Sequence, residues 1–134
     1  HEVRGRKLIR AMSKRLPVPR ACRDLAVLVA EYHTHCHRAG ELNDKTIVKV
    51  LEATDAFRRP ERFEQFLVAC EADARGRTGY EDREYPQANL FRSALAAAAA
   101  VDAAAIARES EETRIAENIR RARVAAVRQS QEAA

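Results

Sequence analysis

Tryptophan is absent from this 134-residue chain, glycine and proline number four each, and methionine occurs once. Aromatic residues are few, at four Phe and three Tyr. So little turn-forming and aromatic material argues against a sheet sandwich. No apolar run approaches the ~20 residues that span a bilayer, and no basic, apolar, small-residue series marks a secretion signal. The three cysteines, Cys22, Cys36 and Cys70, form neither an even set nor a Cys-x-x-Cys pair. Each falls on a predicted apolar helix stripe, so the expectation is three buried, reduced thiols, a cytoplasmic compartment and no membrane. A zinc site built on Cys36 and nearby histidines is the alternative.

What is abundant is alanine, with 27 residues, so the 46% apolar content overstates the core. Alanine, arginine and glutamate together favour helices. The length suits one domain or part of one, and a start at His1 rather than Met reads as a piece of something longer. Charge is uneven. Of the 24 basic residues, seven lie in residues 1–20 (Arg4, Arg6, Lys7, Arg10, Lys14, Arg15, Arg20), against Glu2 alone. A clustered basic segment binds phosphate or an anionic surface. Arginine dominates lysine, which favours bidentate phosphate contacts but also follows from a GC-rich genome.

Apolar spacing predicts about six helices and no strand, an all-α bundle or array. Val3, Leu8, Ile9 and Met12 mark a first helix over 3–15, ended by Pro17 and Pro19. Leu25, Leu28, Val29, Tyr32 and Cys36 recur at three- and four-residue steps and predict a second over 20–37. Asn43 is placed to cap a third, with Leu42 stapling onto Ile47 and a buried face of Ile47, Val50, Leu51, Thr54 and Phe57. Pro60 opens a fourth with Phe63, Phe66, Leu67 and Cys70 as its stripe, broken by Gly76 and Gly79. Pro86 opens a fifth with Leu90, Phe91, Leu95 and Val101. A last helix, about 111–129, carries Ile115, Ile119, Ala122 and Ala126 on one side and several arginines on the rest.

Two stretches carry candidate chemistry. His33 and His37 share a helix face at the spacing of two metal ligands, but no glutamate stands between them as in His-Glu-x-x-His. Two histidines also fall short of a zinc site's three or four ligands. The competing reading is polar residues at an exposed helix end. Asp73 with Arg75 and Arg77 forms either a local ion-pair cluster or an anion site, with Gly76 and Gly79 freeing backbone amides.

The motif Cys70-Glu71-Ala72-Asp73-Ala74-Arg75-Gly76-Arg77-Thr78-Gly79, followed by Tyr85-Pro86-Gln87, resembles the C-terminal part of bacterial tRNA nucleotidyltransferase, the CCA-adding enzyme. Leu16-Pro17-Val18-Pro19, Arg23-Asp24-Leu25-Ala26, Ala30-Glu31-Tyr32-His33, Lys45-Thr46-Ile47-Val48-Lys49 and Arg59-Pro60-Glu61-Arg62 match in the same order, covering about residues 1–101. The resemblance implies a helical body and tail that hold the tRNA acceptor and T arms. The family's Mg²⁺-dependent head, which adds C and A from CTP and ATP, has no counterpart here: no Gly-Ser motif precedes an Asp-x-Asp pair. The resemblance also implies a remnant of an HD-type phosphohydrolase over 1–40 and a body/tail over 41–134, packed as one unit.

His1, His33 and Asp73 are the residues the resemblance offers for the Ni²⁺ or Mg²⁺ of that HD region. The set is incomplete. The His-Asp doublet is missing and Thr34 stands where related sequences commonly have Asp. The chain alone is therefore expected to need no cofactor and to catalyse nothing. Arg4, Arg6, Lys7, Arg10 and Arg15, Arg75 and Arg77, and Arg120, Arg121 and Arg123 are the expected tRNA contacts. From 102 onward the match thins, with Ser110-Glu111-Glu112-Thr113 in place of a Gly-Lys-Gly-like turn. The alanine-rich fifth helix, through Leu95 and Val101, is the alternative surface for a homodimer.

Overall fold

The computed structural model describes residues 2–133, all in helices, turns and connections, with no strand among them. Seven α-helices follow in order: α1 (Glu2–Arg15), α2 (Arg20–His37), α3 (Asp44–Ala53), α4 (Pro60–Arg75), α5 (Pro86–Ala99), α6 (Ala103–Glu109) and α7 (Ile115–Glu132). Short 3₁₀ turns at Ala39–Glu41 and Glu112–Arg114 complete the helical elements among the described residues.

Local chemistry sets the boundaries. The Asn43 side chain accepts the Thr46 amide at 2.8 Å and starts α3, satisfying one of the free first-turn donors. Pro60 and Pro86 stand at the first turns of α4 and α5, where a missing N–H costs nothing. After α3 the chain turns back at Asp55, whose φ of 57° is a left-handed value that aspartate tolerates better than most residues.

Alternating three- and four-residue steps put Phe63, Phe66, Leu67 and Cys70 of α4 in the core with Ile47, Val48 and Leu51 of α3. The Phe63 ring lies 5.6 Å from Phe66 and 6.0 Å from Phe91 of α5, centroid to centroid. Ala88, Ala94 and Ala98 are also buried, so the small residues of α5 serve as close-packing surface against α7 and α3.

Three expectations need correction. The fifth helix does not run through Val101: it ends at Ala99, and the Asp102 carboxylate accepts the Ala105 amide at 2.9 Å and nucleates the separate α6, at 44° to α5. That raises the helix count from six to seven. The last helix begins at Ile115 behind a 3₁₀ turn, and its buried residue is Val127, outside the predicted stripe. Cys22 is exposed rather than buried, because the first turn of α2 extends beyond the core, which α2 meets from Leu25 onward.

Helix α1 lies at the periphery and buries no residue. It rests on α2 where Gly5 approaches Ala30, close enough that an added Cβ would sit 3.5 Å from the Ala30 Cβ. The Arg6–Glu31 pair at 3.2 Å fastens the same contact. Val3, Leu8, Met12 and Leu16 are left largely exposed. Among the described residues no single helix is long and apolar enough to cross a membrane.

Candidate nucleic-acid interface

The carboxyl-terminal ends of α2 and α4 meet at a chain of side chains. His37 Nε2 donates to Asp73 Oδ2 at 2.8 Å, and its Nδ1 lies 2.8 Å from the Tyr85 hydroxyl. Tyr85 in turn donates to Cys36 Sγ at 3.3 Å, and Gln87 Nε2 donates to the His37 carbonyl at 3.0 Å. His37 is thus a structural junction between α2, α4 and the start of α5, not a loose polar residue at an exposed helix end. Burial, and then the hydrogen bond with Cys36, push the Tyr85 hydroxyl well above its ordinary range. The hydrogen bond with Cys36, and then burial, do the same to the Cys70 thiol.

Residues 76–85 fold over this junction as a sequence of turns. Tyr80 N donates to the Arg77 carbonyl at 3.0 Å and Arg83 N to the Tyr80 carbonyl at 3.1 Å. Gly79, at φ 92°, occupies a conformation that residues with a Cβ avoid, and its amide donates to Glu81 Oε2 at 2.9 Å. Arg75 Nε donates to the Arg83 carbonyl at 3.0 Å while its Nη1 reaches Glu71 at 3.3 Å. Of the two readings of Asp73, Arg75 and Arg77, the mutual ion-pair cluster is not formed: Asp73 pairs with His37 and Arg75 with Glu71. Beneath the turns lies a cavity of about 350 Å³, walled by His37, Asp73, Arg75, Arg77, Tyr80 and Arg83 among others.

The other expected contacts divide by partner. Arg4, Lys7, Arg10 and Arg15 are exposed on α1 and make no ion pair among the described residues, whereas Arg6 is tied to Glu31. On α7, Arg120 is held by Glu52, Arg121 by Glu117, and the Arg123 guanidinium lies 3.9 Å over the Phe57 ring. The structure adds a feature with no counterpart in the expectations from sequence. Arg10 and Lys14 of α1 converge with Arg23 of α2 and Arg62 of α4 along one groove of about 450 Å³, which Asp24, paired with Arg23, also lines. Four cations from three helices carry no linear signature, so only the packing of α1 on α2 brings them together.

His33 and Asp73 line a second groove of about 440 Å³ with Ile9, Cys22, Leu25 and Val29. His33 Nδ1 donates to the Val29 carbonyl at 2.7 Å. Its ring meets His37 edge-on at 5.7 Å, and Asp73 is engaged by His37. His1 lies outside the described residues. Among the described residues, no three His, Cys, Asp or Glu side chains converge as a metal-ligand set.

No protein-family model matches the chain, and no solved structure matches it. Curated relatives do. It is 48% identical over 129 residues to the Multifunctional CCA protein of Actinobacillus pleuropneumoniae serotype 5b, covering 96% of this chain and 31% of that protein. It is 52% identical over 131 residues to the protein of the same name from Nitrosococcus oceani, covering 97% of this chain and 32% of that protein. Against the Multifunctional CCA protein of Thioalkalivibrio sulfidiphilus, identity reaches 57% over 103 residues, covering 77% of this chain and 25% of that protein. The chain thus spans about a third or less of the length of these relatives. It belongs with the multifunctional CCA proteins, as a homologue of their C-terminal region.

Proposed function

We propose that this chain is the tRNA-holding helical part of a CCA-adding tRNA nucleotidyltransferase of the cytoplasm. It grips the acceptor and T arms while a nucleotidyltransferase head outside this chain adds C and A from CTP and ATP with Mg²⁺. The observation that carries the reading is near-complete coverage at about half identity by proteins named Multifunctional CCA protein. Geometry adds support: Arg4, Lys7, Arg10 and Arg15 are exposed and without ion pairs among the described residues, and Arg10 continues into the four-cation groove. Such side chains neutralise phosphates and release counterions, giving affinity that falls steeply with salt and reads the shape of folded RNA more than its sequence. Arg75 fixes the turn 76–85, and Arg77 stands exposed beside the cavity.

A gel-shift titration with tRNA at two salt concentrations tests the reading. Binding that weakens by orders of magnitude at the higher salt supports it; absence of binding, or tight binding indifferent to salt, overturns it.

A further inference from the structure

The cavity under residues 76–85 has features that phosphate gripping alone does not use. Its wall presents the Tyr80 ring, 40% exposed although tyrosine is a large, mostly apolar residue. The Arg83 guanidinium lies 5.2 Å from the centre of that ring. Arg77 stands on the same wall, exposed and without an ion pair among the described residues. The lining carboxylates are Asp73, already engaged by His37, and Glu84; Arg75 is paired with Glu71, so Arg77 and Arg83 are the lining guanidiniums without an ion pair among the described residues. At about 350 Å³ the cavity falls at the lower end of the range for small-molecule sites. Its roof is set in advance by the Arg77–Tyr80 and Tyr80–Arg83 backbone turns and by the Arg75 clamp on the Arg83 carbonyl.

An aromatic face beside two cations on a preformed turn is the chemistry that recognises one unstacked nucleotide. The ring and a guanidinium plane stack on the base, and the cations take the phosphate. We propose that this cavity binds a single phosphorylated nucleoside, with the base against Tyr80 and the phosphate on Arg77 and Arg83. The choice of a nucleotide over another aromatic anion rests on the tRNA reading above. Arg75 is here a positioning residue, acting through the Arg83 carbonyl. The same chemistry has two sources, a free nucleotide or the unpaired end of an RNA.

The test is calorimetric titration of this chain with CMP and AMP, beside ribose 5-phosphate (no base) and cytidine (no phosphate). The nucleotides are expected to bind about tenfold or more tighter than either half-ligand. Tyr80→Ala should reduce them to the level of ribose 5-phosphate, and Tyr80→Phe should retain most of the affinity. The Arg77→Ala, Arg83→Ala double variant should reduce them to the level of cytidine, with circular dichroism confirming that each variant folds. Equal binding of CMP and ribose 5-phosphate with no effect of Tyr80→Ala would overturn the proposal, as would failure of every nucleotide to bind. If tRNA binding stays salt-dependent in that case, the pocket assignment alone has failed. Competition of CMP with a hairpin carrying a single-stranded 3′ end, but not with a blunt hairpin, assigns the pocket to an RNA end; binding of CMP without that competition assigns it to the free nucleotide.

Discussion

Arg120 on α7 grips Glu52 on α3 through two hydrogen bonds, 2.9 Å from Nε and 2.8 Å from Nη2. The pair fastens the last helix to the middle of the chain and occupies the guanidinium with a carboxylate instead of a phosphate. Glu52→Gln removes that competition. Both side chains are partly exposed, so the stability cost should stay below about 1 kcal/mol, while tRNA affinity should rise a few-fold. Unchanged affinity, measured by filter binding at fixed salt, would place Arg120 outside the RNA surface.

The thiols offer a check on the fold. Cys22 is exposed while Cys36 and Cys70 are fully buried. A thiol-reactive chromophore should titrate one equivalent in the native protein and three after denaturation. Three fast equivalents would mean that the α2–α4 contact opens readily.

Glu64 and Arg92 join α4 to α5 at 2.6 Å, and the hydrogen bond from Arg92 holds the Glu64 carboxyl below its usual range. A depressed folded-state value means stability that is present above the unfolded value, about 4.3 for glutamate, and is lost as pH falls through the folded one. Arg92→Ala should therefore cost under about 1 kcal/mol at pH 7 for so exposed a pair. The difference should shrink toward pH 2, where what remains is the Arg92–Asn89 hydrogen bond. Urea denaturation at the two pH values reads both.

Core and periphery should separate cleanly. Phe63→Ala empties a fully buried ring site in contact with Phe66 and Phe91 and should cost about 3–5 kcal/mol. Leu8→Ala, on the exposed side of α1, should stay within about 0.5 kcal/mol. A large effect of the Leu8 change in thermal unfolding would show that α1 is buried in solution against another copy.

The third and fourth helices are readable in the sequence because Asn43 and Pro60 act locally and because Phe63, Phe66, Leu67 and Cys70 keep the helical period. The break at residues 100–102 is not, since unbroken alanine has high helix propensity on both sides and only the Asp102 cap reveals the stop. Of the candidate site, the motif around Asp73 and Arg77 is visible in the sequence, but its partners are not. His37, 36 residues away, and Arg83, across the turn at Gly79, reach it only through tertiary packing. The Arg10–Lys14–Arg23–Arg62 groove is invisible for the same reason.

The most direct test of RNA holding is the salt dependence of tRNA binding by this chain and by the Arg4, Lys7, Arg10, Arg15→Ala variant. All four positions are exposed, so the variant should keep the parent's helical circular dichroism. A steep negative slope of log affinity against log salt is expected for the parent chain. In the variant the slope should be shallower by roughly 0.7–0.9 for each phosphate that is no longer neutralised, with about a tenfold or greater drop in affinity at low salt. An unchanged slope and affinity in the variant would contradict a role for α1 in holding tRNA.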